Sequence, residues 1–223
     1  MTARTVHTVK NVASSAFLVT GEEGAMIVDT GVAGRAPAML RQIADAGLRP
    51  TDVKLILLTH HHADHSGSAL ALREATGAPI AIHRDDADQL RRGGRVDLQP
   101  TSTVPRLMKL MLSKAEIPAI EPDIVLDDEE DLTRFDGIGR SFVTPGHTPG
   151  SVCVLLPDHS ILAGDALSGG IMRARIAHKP MFATDLDAAH RSMRTVAEHA
   201  PTTVYVGHGG PLAAPSVAAL RSS

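Results

Sequence analysis

Residues 57–67 read LLTHHHADHSG, with four histidines and one aspartate packed into the six positions from His60 to His65. They follow "VKLILLT" (53–59), a continuous apolar run of the kind that forms a strand buried on both faces. In an extended backbone residues i and i+2 project to the same side, so His60 and His62 point together and His61 points away. Asp64 and His65 fall where the chain turns into a helix, read from Ser66 to Thr76 and closed by Gly77. Imidazole and carboxylate donors in fixed geometry suit a borderline metal such as zinc. The stretch therefore offers two metal positions, one at the His60/His62 pair and one at the Asp64/His65 pair.

Such a site needs donors from elsewhere in the chain, and three stand out. "TPGHTPGS" places His147 in a turn bounded by glycine and proline, "ILAGDALS" places Asp165 beside Gly164, and "VYVGHGGP" places His208 between glycines. Each follows an apolar strand-like run, and the neighbouring glycine allows a tight turn and leaves room for an ion. Taken singly, a loop histidine is most often plain surface, Asp64 reads equally as a helix cap and Asp165 as a turn residue. Their joint recurrence after strands, beside glycine, favours a shared site. His7, His83, His159, His178, His190 and His199 lack that setting and read as ordinary.

The remaining chain alternates strands and helices. Ala16–Val19 and Ala25–Val28 flank the turn Gly21–Gly24 and form a hairpin, and Ala38, Leu40, Ile43 and Ala44 give one face of a helix ending near Gly47. "APIAIH" is a short strand and Arg84 to Arg92 a short helix. Residues 93–122 carry two glycines and four prolines around "VPRLMKLMLSKAE", which reads as an insertion. It is either a lid with a flexible apolar wall (Leu107, Met108, Leu110, Met111, Leu112) or a helix packed on the body or used as a homodimer contact. Strands follow at 123–126, 140–144, 151–156 and 160–163, then a helix at 185–200 capped by Asp185 or Asp187, a strand within "TTVYVG" and a last helix, "APSVAALRSS". The class is α/β, a β core with helices outside, and no linker divides residues 1–223 into two domains.

Bulk properties exclude several classes. A net charge of −3 with 2% aromatic residues disfavours a nucleic-acid partner. There is no apolar run long enough to span a membrane and no signal-peptide pattern at the start. The single cysteine, Cys153, cannot form an intrachain disulfide and sits in the apolar "SVCVLL", so it reads as a buried thiol in a cytoplasmic protein.

The ordered set H-x-H-x-D-H after a buried strand, then G-H-T-P-G, G-D and G-H-G, resembles the metallo-β-lactamase-fold hydrolase superfamily, over a span from "VDTG" (28–31) to "VGHGG" (206–210). The resemblance implies a four-layer αββα sandwich with its site at one edge between two sheets. It implies that His60, His62 and His147 hold a first metal, that Asp64, His65 and His208 hold a second, and that Asp165 bridges them. Asp29 would support the site from behind. D-T-G is also an aspartic-protease signature, but that chemistry needs two such carboxylates and the triplet occurs once.

The implied cofactors are two divalent ions, zinc first, with iron or manganese also suited to these donors. Five neutral imidazoles, two carboxylates, two such ions and a bridging hydroxide leave a net charge of about +1, suited to oxyanion stabilisation. The implied activity is hydrolysis of a carboxylic ester, lactone or thioester of a small-molecule substrate by that hydroxide, with Asp64 orienting it and shuttling its proton. β-Lactams rank low because the chain shows no export signal and carries Asp165. Only about 15 residues follow His208, too few for the helical C-terminal domain usual in glyoxalase II-like thioesterases. A mononuclear iron oxygenase resembling persulfide dioxygenases is the alternative. Arg173, Arg175 and Lys179 are candidates to meet an anionic substrate group, with a solvated basic loop the competing reading.

Overall fold

A computed structural model of the chain describes residues 5–222 apart from 11–13, 96–97, 104, 107–108, 110–115 and 170–174. The first sheet has six strands in sequence order: β1 (Thr5–Lys10), β2 (Ser15–Thr20), β3 (Ala25–Val28), β4 (Val53–Leu57), β5 (Ile80–His83) and β6 (Ile124–Leu126). β1 to β3 pair antiparallel and β3 to β6 parallel. The second sheet comprises β7 (Glu129–Asp131), β8 (Arg140–Val143), β9 (Val152–Leu155), β10 (Ile161–Leu162) and β11 (Val204–Tyr205), antiparallel except for the parallel β10–β11 pair.

Alternation along the strands builds the layers. Phe17, Val19, Met26, Val28, Leu55, Leu57 and Ala81 face inward and meet Val152, Val154 and Leu162 of the second sheet. Their strand neighbours Leu18, Ile27, Ile56, Ile80 and Ile82 face outward and are covered by α1 (Ala36–Asp45), α3 (Ala69–Thr76) and α4 (Arg84–Arg92) through Met39, Ile43, Leu72 and Leu90. On the other sheet Cys153, Ile161 and Val204 are covered by α5 (Leu186–Glu198) and α6 (Ala214–Ala218) through Met193, Val196 and Val217. The order is helix, sheet, sheet, helix: the four-layer αββα sandwich.

Several elements differ in detail from the sequence reading. The N-terminal segment, to which the sequence reading assigned no element, forms β1, held by β2 across six register pairs. The helix read over 66–76 is two pieces, α2 (Ala63–Ser66) and α3, separated at Gly67, where any side chain would collide with the backbone at Ala33. Asp185 provides the α5 cap, accepting from the Ala188 N–H. The 93–122 insertion is pinned at its base by Gly94 and Ile117, which exchange backbone hydrogen bonds of 2.9 and 2.8 Å. Its apolar residues Leu107, Met108, Leu110, Met111 and Leu112 lie outside the described residues. Among the described residues no helix is long and apolar enough to cross a membrane.

All of the loops singled out in the sequence leave one edge. β3, β4, β8, β10 and β11 each end there, so Asp29, the 60–65 stretch, His147, Asp165 and His208 emerge together. The sheets are joined at that edge by a hydrogen bond from Val152 N–H to the Thr59 carbonyl, 2.9 Å. Replacing Leu55, fully enclosed between the sheets, with alanine should cost about 3 kcal/mol of unfolding free energy. Val125→Ala on the edge strand β6, where the side chain is 46% exposed, should change it by less than about 0.5 kcal/mol. Urea denaturation of both variants checks the assignment of the inter-sheet layer.

Candidate metal centre

Beyond β4 the chain bends at residues 59–61, is extended again at His62 and then enters α2, so this stretch turns successive side chains to different neighbours. His60 and His62 face His147: His147 Nε2 lies 3.1 Å from His60 Nε2 and 2.9 Å from His62 Nδ1. Asp64, His65 and His208 form a second group, with His208 Nε2 3.4 Å and His65 Nε2 3.7 Å from Asp64 Oδ2. Asp165 lies between the groups. Its Oδ1 is 3.4 Å from His65 Nε2, and its Oδ2 is 3.1 Å from His208 Nε2 and 3.6 Å from His147 Nε2. All seven residues singled out for the site are thus brought together. His61 is not among them; its Nδ1 turns away to Asp86 Oδ2 at 2.7 Å.

The hydrogen bonds behind the rings decide which nitrogens are bare. His147 Nδ1 sits 2.7 Å from the Phe182 carbonyl and must donate to it, which leaves Nε2 without a hydrogen in the neutral ring. The Thr59 hydroxyl donates to the Asp29 carboxylate at 2.8 Å, so its oxygen accepts from His60 Nδ1 at 3.1 Å and His60 Nε2 is bare as well. Two lone pairs therefore face each other across 3.1 Å. His65 Nδ1 donates to Asp29 Oδ2 at 2.7 Å, and His65 Nε2 and Asp165 Oδ1 are buried without a hydrogen-bond partner.

This donor set fits metal ions. Donors around a tetrahedral ion with bonds of ~2.0–2.1 Å stand about 3.3 Å apart, close to the separations in both groups. Gly207 keeps the space open: a Cβ there would collide with Asp165 Oδ1 and lie 2.6 Å from His65 Cε1. Three overlapping sets could each hold an ion, namely His60/His62/His147, His60/His65/Asp165 and Asp64/His65/His208.

The electrostatics divide along the same line. Burial, then the neighbouring imidazoles, hold His60 and His62 well below the usual histidine range. Burial also lowers His147. Burial would lower His65 too, but the carboxylates of Asp29, Asp165 and Asp64 outweigh it and raise it to about 9. His208 is raised well above its usual value, burial being overcome by Asp165 and then Asp64. Burial opposes ionisation of Asp64 and Asp165, yet the surrounding imidazoles hold both well below the usual carboxylate range. One half is thus a neutral donor set and the other a set of ionised carboxylates paired with protonated imidazoles.

Asp29 lies behind the rings, fully buried, as the resemblance implied. Thr59 and the Phe182 carbonyl were not foreseen as orienting groups. A threonine immediately before the first ligand-like histidine was the available hint for Thr59; a main-chain carbonyl leaves no trace in sequence. Part of the insertion reaches the site indirectly. Pro100 bridges Phe182, and Thr101 N–H donates to the Met181 carbonyl at 3.0 Å. Lys179 Nζ is engaged by the Thr101 carbonyl at 3.2 Å, Arg175 is exposed, and Arg173 lies outside the described residues. Cys153 is fully buried in β9 with its thiol pushed up to about 12 by burial, so it is no nucleophile.

Comparison with known proteins agrees with the geometry. The family model of the metallo-beta-lactamase superfamily matches residues 9–208. The chain is 29% identical over 198 residues to a probable metallo-hydrolase, YqgX of Bacillus subtilis, covering 88% of this chain and 85% of that one. It is 29% identical over 175 residues to the acyl-coenzyme A thioesterase MBLAC2 of Bos taurus, covering 69% of this chain and 58% of that protein. Among solved structures, a metallo-beta-lactamase family protein of Thermus thermophilus superposes with a TM-score of 0.69 at 24% identity, over 98% of this chain and 78% of that one.

Metal loading should expel protons. Near neutral pH the metal-free His65, with its value raised to about 9, carries a proton that an ion must displace. Metal affinity should therefore rise with pH across the neutral range, because both His65 and His208 must lose a proton to bind. Calorimetric titration in buffers of different ionisation enthalpy should show release of about one proton or more per chain; an affinity independent of pH between about 6 and 8 would contradict the protonated pair.

Proposed function

The chain belongs to the metallo-β-lactamase superfamily, whose members use metal ions, and we propose that it is a dinuclear, zinc-dependent hydrolase of carboxylic esters, lactones or thioesters, with a thioester the favoured substrate. The observation that carries this reading is the convergence of the bare His60 and His147 nitrogens with His62 beside a second, carboxylate-rich group, with Asp165 reaching both. The thioester preference is supported by the name of the bovine relative. Five nitrogen donors and two carboxylates, without thiolate, suit zinc and also iron and manganese.

His60, His62 and His147 would hold one ion, Asp64, His65 and His208 the other, and Asp165 both. The ions would supply Lewis acidity toward the substrate carbonyl and acidify a water. The protein's own groups do the rest. Asp29, Thr59 and the Phe182 carbonyl lock the rings so that no reorganisation accompanies charge development. Asp64 and His208 are the most open of the seven, with side chains 30% and 19% exposed against 11% for Asp165. Substrate therefore approaches from their side. Asp64, ionised and at that mouth, takes the proton of the attacking water on its carboxylate and passes it to the leaving thiolate or alkoxide.

Elemental analysis of protein purified without added metal should give about two ions per chain, and a panel of acyl thioesters, lactones and esters should reveal turnover. Asp64→Asn with metal retained should lower kcat at least ~100-fold. Full activity in that variant sinks the role assigned to Asp64. One iron per chain with oxygen uptake on a persulfide would replace the hydrolase by an oxygenase.

A further inference from the structure

We propose that Asp86, which touches no ligand-like side chain, is a positioning residue that sets the spacing of the His60/His62/His147 group by holding its two loops on one carboxylate. The proposal rests on the reading that these three histidines hold an ion. Asp86 lies in the first turn of α4 and is fully buried. Its Oδ2 accepts from the His61 N–H at 3.0 Å, from His61 Nδ1 at 2.7 Å and from the Thr148 hydroxyl at 2.8 Å. Its Oδ1 accepts from the Gly150 N–H at 2.8 Å.

The partners are placed so that this carboxylate controls both sides of the group. His61 stands between His60 and His62, and Thr148 directly follows His147. One side chain thus ties together two loops that are far apart in sequence. The His61 ring lies edge-on to the His62 ring, with centroids 4.8 Å apart, so fixing His61 also limits how His62 can turn. On the other side Thr148 is held in its donor role by Ser151, whose hydroxyl lies 2.7 Å from the Thr148 hydroxyl and accepts from the Thr148 N–H at 3.1 Å. Gly150 allows the approach: a Cβ there would lie 2.6 Å from Asp86 N and 2.8 Å from Asp86 Oδ1.

All four hydrogen bonds require a carboxylate. The amide of an Asp86→Asn variant presents one acceptor oxygen and a donor NH2, which opposes either the three donors on Oδ2 or the Gly150 N–H. The Asp64/His65/His208 group makes no hydrogen bond to Asp86, and its His65 is oriented through Asp29 instead. The predicted effect is therefore selective for one ion.

Cobalt(II) titration followed by its visible d–d bands tests this with the full chain. Wild type should bind two ions. Asp86→Asn should keep its circular dichroism spectrum, lose affinity for one ion by about 10–100-fold, show an altered band for that ion, and keep the other. Thr148→Val should shift the same ion in the same direction, and Thr148→Ser, which retains the donor hydroxyl, should restore the wild-type spectrum. Wild-type affinities and bands in both Asp86→Asn and Thr148→Val overturn the proposal, as does an equal loss of both ions, which would signify a general structural role. Should Asp86→Asn fail to fold, the Thr148→Val and Thr148→Ser pair decides. A wild-type chain that binds no cobalt overturns the metal-centre reading itself, and this inference with it.

Discussion

The buried carboxylate of Asp29 is the constraint on which the reactive edge depends. It sits just past β3 in a left-handed conformation, φ 59°, unusual for a residue with a side chain. Strain of that kind and the burial of a charge persist only where the surroundings over-determine them. Here they do: the Thr59 N–H and hydroxyl and His65 Nδ1 all donate to Asp29, at 2.7–3.0 Å. The same contacts join the end of β3 to the end of β4 and fix the proton positions on two histidines. His65 is set directly and His60 through Thr59, so one side chain orients a histidine in each donor group.

Asp86 completes this arrangement from the opposite side. The two carboxylates bracket the 60–65 stretch, Asp29 addressing His60 and His65 and Asp86 addressing His61. The odd histidine of the triple run is therefore neither surplus nor a ligand. Past the bend at 59–61 its ring and its backbone N–H both turn to the far side, and a buried acid meets them there.

Much of this was legible in the sequence because the fold repeats one device: an apolar strand that ends in a glycine-flanked loop bearing a donor. The i, i+2 spacing separated His60 and His62 from His61, and the inward and outward alternation of "AMIV" and "VCVL" yields the layered core. What escaped was decided by tertiary contact. β7 is Glu-Glu-Asp, with no apolar pattern, and becomes a strand because β8 supplies its ladder. The break between α2 and α3 comes from the 32–33 backbone lying against Gly67. Asp86 stands in "HRDDADQL", where an acid in a first helical turn looks like routine complementation of the helix dipole. Only the fold brings the 147–150 loop to it.

The reactive edge is divided between the two sheets. His60, His62, Asp64 and His65 extend from the first, and His147, Asp165 and His208 from the second. Neither half carries a complete donor group: His60 and His62 lack their third donor without His147, and Asp64 and His65 lack theirs without His208. Recombination between relatives that exchanges one sheet for another would therefore transplant half a centre, and it would succeed only where the Thr59–Val152 seam and the Asp86 contacts are matched on both parents. In this architecture the unit of inheritance for chemistry is the whole sandwich, and the insertion at 93–122 belongs to it, because its Pro100 and Thr101 meet the 181–182 backbone whose carbonyl orients His147.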